Sequence, residues 1–220
     1  MKYFLIFFLI SALILIFYPE LDIYFSNFFF KSGKFYLKFD PKIKFLHLLV
    51  QYISATLIGI YIVSFLLNNI FRFNLFNLDN YKLFYLLLAL IIGPGLIVNT
   101  VFKDNFGRAR PMNIKEFNGK EIFTPAFEIS KACFRNCSFP SGHASIGFYF
   151  SSFGFVARKN RKLIIKSSII FGLILGIARI IQGGHFLSDV LFSGIMVLTI
   201  NYLLYQIMFS YGRNKTSQIH

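Results

Sequence analysis

Tryptophan is absent from this 220-residue chain, cysteine occurs twice, proline six times, and nine acidic residues stand against 23 lysines and arginines. Each scarcity narrows the field. The few carboxylates form no Asp/Glu cluster suited to Mg²⁺, so the sequence predicts no metal and no cofactor. The net charge of +14 comes without a basic helix, a zinc-ligand spacing or an RNA-stacking motif, which excludes nucleic acid as the partner. There is no internal repeat and no low-complexity linker, so residues 1–220 read as a single domain. The lack of tryptophan beside abundant Phe, Ile, Lys and Asn reads as the composition of an AT-rich, bacterial genome.

What is abundant is apolar. Hydrophobic residues make up 56% of the chain and charged ones only 15%. They gather in nearly uncharged runs of roughly 15–23 residues, close to the ~20 a helix needs to cross a bilayer. A soluble helix would carry polar residues at every turn instead. The reading is an all-α integral membrane protein with six transmembrane helices, near Tyr3–Tyr18, Phe45–Leu67, Leu83–Phe102, Ala144–Ala157, Leu163–Ile181 and Phe186–Phe209. The first run lacks a small-residue cleavage site and continues into Tyr18-Pro19-Glu20, so it reads as an uncleaved anchor. Gly93-Pro94-Gly95 should kink the third run. The fourth is short and would start deeper in the membrane. His47, near the start of the second run, fits no cluster and reads as a span-end or core histidine.

Orientation follows from the short basic loop Arg158-Lys159-Asn160-Arg161-Lys162, which should be cytoplasmic. Both termini then lie in the cytoplasm, and the segments Pro19–Lys44 and Lys103–His143 lie outside. Cys133 and Cys137 fall in the second outer segment. In an oxidising periplasm such a pair closes a small loop as a disulfide, the preferred reading over two free thiols. Without a His pair nearby, zinc is disfavoured.

Nearly all the unusual polar residues sit in three clusters at span ends, and the topology sends all three to one membrane face. The first runs from Lys103 and Asp104 through Arg108 to Arg110-Pro111, the second is Pro140-Ser141-Gly142-His143, and the third runs from Arg179 to His185 and Asp189. Lys103, Arg110 and Arg179 supply three cations; an arginine fork matches phosphate oxygens in pairs. Ser141 and Gly142 precede a helix, whose first N–H groups favour an anion. These five residues make a cage for phosphate.

His185 and Asp189 are four apart and would share a helix face, the carboxylate holding one imidazole nitrogen protonated so that the other attacks. His143 would protonate the leaving oxygen. The expected chemistry is attack by His185 on phosphorus, a phosphohistidine, and hydrolysis with His143 as base. Arg108, Asn99 and Pro140 read as supporting residues, Arg108 behind the cage or toward solvent or headgroup, Asn99 as helix glue or a prop for Lys103.

These residues resemble the type 2 phosphatidic acid phosphatase superfamily, whose pattern is Lys-x6-Arg-Pro, then Pro-Ser-Gly-His, then Ser-Arg-x5-His-x3-Asp. Lys103 to Arg110-Pro111, Pro140 to His143, and Arg179, His185 and Asp189 match it; Ala178 stands where the family has serine. The resemblance implies a six-helix membrane fold and an active site facing the periplasm from a bacterial inner membrane. It implies a membrane lipid as substrate: phosphatidic acid, phosphatidylglycerophosphate, undecaprenyl diphosphate or lipid A. Gly93-Pro94-Gly95, Asn99, Phe102-Lys103-Asp104 and the stretch from Cys133 to Phe139 are similar to bacterial lipid A phosphatases of the 4'-type. The competing functions are a lipid phosphotransferase using the same site, haloperoxidase chemistry of the related vanadate enzymes, against which the spans argue, and a non-catalytic channel, transporter or lipid-binding scaffold. Transporters keep their polar groups near the midplane, whereas here they gather at span ends.

Overall fold

A computed structural model describes residues 2–38, 40–72, 78–103 and 105–210, without the side chains of residues 2–5, 44, 46, 47 and 210. Asp104 and the side chain of His47 therefore lie outside the described residues. Helix α1 (Lys2–Phe17) ends before Pro19, and the chain turns through 102° into α2 (Glu20–Asn27). Proline removes an N–H donor and blocks continuation of the helix, which gives the bend a local cause. A short hairpin, β1 (Phe30–Lys31) and β2 (Lys34–Phe35), leads to α3 (Pro41–Ile70). Asp40 caps α3 by accepting the Lys42 N–H at 2.8 Å, with Pro41 at the first helical position.

Helix α4 (Asn80–Leu90), capped by Asp79, continues as a π-helix over Ile91–Phe102. The kink expected at Gly93-Pro94-Gly95 is thus a change of helix type. Pro94 cannot donate to the turn before it, and its own carbonyl accepts from Asn99 Nδ2 at 2.7 Å. After a long irregular segment come α5 (Gly142–Tyr149), α6 (Ser151–Val156), α7 (Arg161–Ile181) and α8 (Leu187–Tyr205), the last ending in a π-turn over Gln206–Ser210.

The expected six spans are only partly met. Among the described residues, four helical stretches are long and apolar enough to cross a bilayer: Pro41–Ile70, Asn80–Phe102, Arg161–Ile181 and Leu187–Phe209; the bent pair α1–α2 makes a fifth if taken as one span. The expected fourth run is helical, but it breaks at Phe150 into α5 and α6. End to end these two rise only roughly 22 Å at 1.5 Å per residue, less than the ~30 Å of a hydrocarbon core.

Helices α5 and α6 sit innermost, packed on α7 and α8, with α1 lying along α8. Away from the loop clusters, the inner helices are joined by hydrogen bonds. The Tyr61 and Tyr149 hydroxyls pair, Tyr149 Oη donates to the Leu86 carbonyl at 3.1 Å, and Asn201 Nδ2 donates to Ser151 Oγ at 2.9 Å. Such contacts hold helices together where apolar burial gives no driving force. The outer faces remain apolar and open, as at Ile62 and Val63 on α3 and Ile170 and Ile174 on α7, a surface suited to lipid rather than water.

Candidate active site

The three clusters do meet. They line a cavity of about 410 Å³ with Asn99, Lys103, Arg110, Gly142, His143, Arg179 and His185 on its wall, closed on other sides by Val50, Gln51 and Ser54 of α3 and by Arg135 and Asn136. Backbone hydrogen bonds stitch the segments together. Met112 N–H donates to the Gly183 carbonyl at 3.0 Å, Ser138 N–H to Arg108 at 2.9 Å, and Ser141 N–H to Asp189 at 3.0 Å. The segment leading to α5 is pinned by an aromatic cluster; Phe127 stands edge-on to Phe192 at 4.4 Å and to Phe139 at 4.9 Å.

The cations reach the cavity from three elements. Lys103 follows the π-helix and is buried. Arg110 is held by the Asn136 carbonyl, which accepts its Nε at 3.2 Å and its Nη2 at 2.7 Å. Arg179, on the last turn of α7, donates to Gln182 Oε1. Gln182 therefore supplies an acceptor for Arg179 in a chain that has Ala178 in place of a hydroxyl. Two glycines permit this crowding. A Cβ at Gly142 would fall 2.6 Å from Asn99 Oδ1 and 3.4 Å from Lys103 Nζ, and one at Gly184 would fall 2.7 Å from Arg179 Nη2.

Ser141 is placed differently from expectation. Its N–H is committed to Asp189, its hydroxyl caps the Ala144 N–H at 3.5 Å, and its side chain is fully buried. The start of α5 presents Gly142 and His143 to the cavity instead. Pro140, also buried, follows a cis peptide bond.

The expected helix-face pairing of His185 with Asp189 is corrected as well. Helix α8 begins at Leu187, so His185 lies in the turn before it. Asp189 is in the first turn and accepts the Phe186 N–H at 2.8 Å. Its Oδ2 stands 3.5 Å from His185 Nδ1, whereas the Ser138 carbonyl lies 2.6 Å from that nitrogen. A carbonyl only accepts, so Nδ1 carries the proton and Nε2 the lone pair. Nε2 is buried and has no hydrogen-bond partner among the described residues. Burial pushes the imidazole down to about 3, with nearby Lys103 and Arg179 acting in the same direction and Asp189 opposing. The ring is neutral near pH 7.

Behind the cavity lies a cluster that the sequence pointed to only in part. Arg108 is fully buried. It donates from Nη1 to Asp189 Oδ1 at 2.6 Å, from Nη2 to Asp22 Oδ2 at 2.9 Å and from Nε to the Thr124 carbonyl at 2.7 Å. Its readings as a solvent- or headgroup-facing charge are excluded. Gln182 and Ser188 fall inside the third cluster, and Arg135, Asn136 and Ser138 inside the stretch from Cys133 to Phe139, without a predicted role of their own; Asp22 and Gln51 lie in no motif. The structure joins Cys133 to Cys137 as a disulfide. Among the described residues no group of three His, Cys, Asp or Glu side chains is placed to hold a metal ion.

Comparison with known proteins gives the family of the chain. The family model described as the PAP2 superfamily matches residues 82–213. The chain is 39% identical over 202 residues to the Lipid A 4'-phosphatase of Francisella tularensis subsp. novicida (strain U112), covering 87% of this chain and 88% of that protein. It is 33% identical over 132 residues to the Lipid A 4'-phosphatase of Rhizobium etli, covering 60% of this chain and 51% of that protein. A Lipid A 1-phosphatase of Rhizobium etli is 34% identical over 111 residues, covering 48% of this chain and 41% of that protein. The chain thus spans about half the length or less of these two Rhizobium relatives. No solved structure matches.

Proposed function

From the premise that the chain belongs to the PAP2 superfamily and is a multi-pass bacterial membrane protein, we propose that it hydrolyses the 4'-phosphate of lipid A through a phosphohistidine on His185. The observation that carries the mechanism is the state of that imidazole. Nδ1–H is held by the Ser138 carbonyl, and Nε2 is neutral, without a hydrogen-bond partner among the described residues, and set in a wall shared with Lys103, Arg110 and Arg179. Nε2 attacks phosphorus, and the bond to the sugar oxygen breaks. His143 delivers a proton to that oxygen. Water then attacks the phosphorus with His143 accepting its proton, and inorganic phosphate leaves as His185 is restored.

The three cations take the charge on the phosphoryl oxygens that metal ions bear in other phosphatases, so the reaction is metal-free. Asp189 supports this reading, since its oxygens are committed to Arg108, Ser138 and Phe186. A leaving group rich in hydroxyls fits the polar wall formed by Gln51, Arg135 and Asn136. The site faces the periplasm of the inner membrane, with both termini cytoplasmic. The basic loop from Arg158 to Lys162 lies at the helix ends away from the cavity, which supports that orientation.

The test is phosphate release from lipid A, undecaprenyl diphosphate, phosphatidylglycerophosphate and phosphatidic acid with a chelator present, the lipid A product being sized by mass spectrometry. Loss of the 4'-phosphate in chelator, abolished by His185→Ala, is the expected result. Turnover of the other lipids alone would refute the substrate, and full activity of His185→Ala would refute the nucleophile.

A further inference from the structure

Asp22 carries no motif, sits just past the end of an apolar run, and is nevertheless fully buried on α2. It lies 86 residues from Arg108 and 166 from Ser188 in sequence, and it touches both. Oδ1 accepts the Ser188 N–H at 2.9 Å. Oδ2 accepts Arg108 Nη2 at 2.9 Å and the Ser188 hydroxyl at 2.5 Å. All these partners are donors, the pattern of an ionised carboxylate.

The same guanidinium holds Asp189, so Arg108 stands between two carboxylates. Arg108 and Asp189 alone would sum to zero, and Asp189 would put little field on His185. Asp22 returns the group of three to a formal charge of −1. The rings of Phe186 and Phe123, centred 4.3 and 5.4 Å from the guanidinium carbon, keep water and counterions from screening it.

We propose that Asp22 is a positioning residue for phosphoryl transfer: through Arg108 and Ser188 it fixes Asp189 and leaves the negative charge beside His185 uncompensated. The inference rests on His185 being the nucleophile. As Nε2 bonds to phosphorus the ring retains Nδ1–H and acquires imidazolium charge. A net anion with one oxygen 3.5 Å from Nδ1 stabilises that charge, and a neutral pair does not. Asp22 itself contacts no reacting atom.

The test compares the full-length protein in lipid nanodiscs with Asp22→Asn, Asp22→Glu, Asp22→Asn/Arg108→Gln and His185→Ala, turnover being expressed per folded molecule by near-UV circular dichroism. Asp22→Asn should lower kcat on the order of 10- to 100-fold, the scale for partners behind a functional histidine, with KM and the inhibition constant of inorganic phosphate within about 2-fold. Asp22→Glu should recover part of the loss. The double variant, which leaves Asp189 as a lone anion, should be faster than Asp22→Asn. A merely structural Asp22 would lower the yield of folded protein, leave kcat per folded molecule unchanged and make the double variant the slower one; any of these kinetic results overturns the inference. Activity in His185→Ala would overturn both the nucleophile and this inference. An inactive His185→Ala beside wild-type kcat in Asp22→Asn would overturn this inference alone.

Discussion

The Ser138 carbonyl accepts the Nδ1–H of His185 at 2.6 Å, closer than the Asp189 carboxylate at 3.5 Å. A backbone atom therefore sets the imidazole tautomer, and no side-chain substitution deletes it. In triads where the carboxylate sets the tautomer, its amide variant costs ~10⁴ in kcat. Asp189→Asn should cost less here, roughly 10²- to 10³-fold, because the lone pair stays on Nε2 while the charge near Nδ1 is lost. Single-turnover phosphorylation of His185 measures it.

Arg108 reads out in stability. Its removal leaves Asp22 and Asp189 buried without their shared cation. Arg108→Ala should destabilise the fold by about 3–5 kcal/mol, as for other buried pairs stripped of one partner. Thermal and denaturant unfolding in detergent check this, with Arg110→Ala as the comparison. Arg110 is half-buried and donates to a carbonyl rather than to a carboxylate among the described residues, so its loss should fall on phosphate affinity instead.

Acid sensitivity follows from burial of the nucleophile. The His185 ring takes a proton at about 6.5 when unfolded and only at about 3 when folded. The unfolded state binds more protons between those values, so stability falls as pH drops from 6.5 toward 3, by up to about 1.4 kcal/mol per pH unit. His185→Gln should flatten that limb of the unfolding midpoint against pH. The acid limb of wild-type kcat/KM above pH 4 should belong to other groups.

Gly184→Ala separates activity from folding. The added methyl carbon would lie 2.7 Å from Arg179 Nη2, the movable end of a long side chain. The guanidinium should swing aside at little cost in stability, while kcat falls on the order of 10²-fold with displacement of one charge from the phosphoryl oxygens. An unfolding midpoint near wild type beside that loss is the expected pair of results.

The disulfide bears on substrate binding. The loop from Cys133 to Cys137 carries Arg135 and the Asn136 carbonyl that holds Arg110, and it leads directly into Ser138. Reduction, or Cys133→Ser with Cys137→Ser, should raise KM roughly 3- to 10-fold and lower kcat by less. Steady-state kinetics with and without reductant decide it.

Much of the site was legible because phosphoryl chemistry demands particular residue types at short spacing. Lys103, Arg110, Gly142, His143, Arg179 and His185 are named by three strings and do line one cavity. Arg108 and Arg110 sit two residues apart in one string, yet one is buried between carboxylates and the other faces the cavity. The Lys-x6-Arg-Pro spacing marks Arg110, but nothing local shows what holds Arg108, since that depends on Asp22 arriving from α2. The spacing of His185 and Asp189 suggested a shared helix face, but α8 starts too late for that. The count of six spans is not confirmed where two helices are shorter or more bent than their apolar runs suggest, at Phe150 and Pro19.

By itself, then, the sequence determined the environment and the chemistry: apolar runs that only a bilayer satisfies, and cations and histidines whose functions follow from their own side chains. Those are properties of single residues and near neighbours. Tertiary structure alone decided which groups share a hydrogen bond across long stretches of chain: Ser138 with His185, Asn136 with Arg110, Asp22 with Arg108. Buried donors and acceptors must find partners, and packing brings those partners within reach from segments whose order along the chain carries no sign of it.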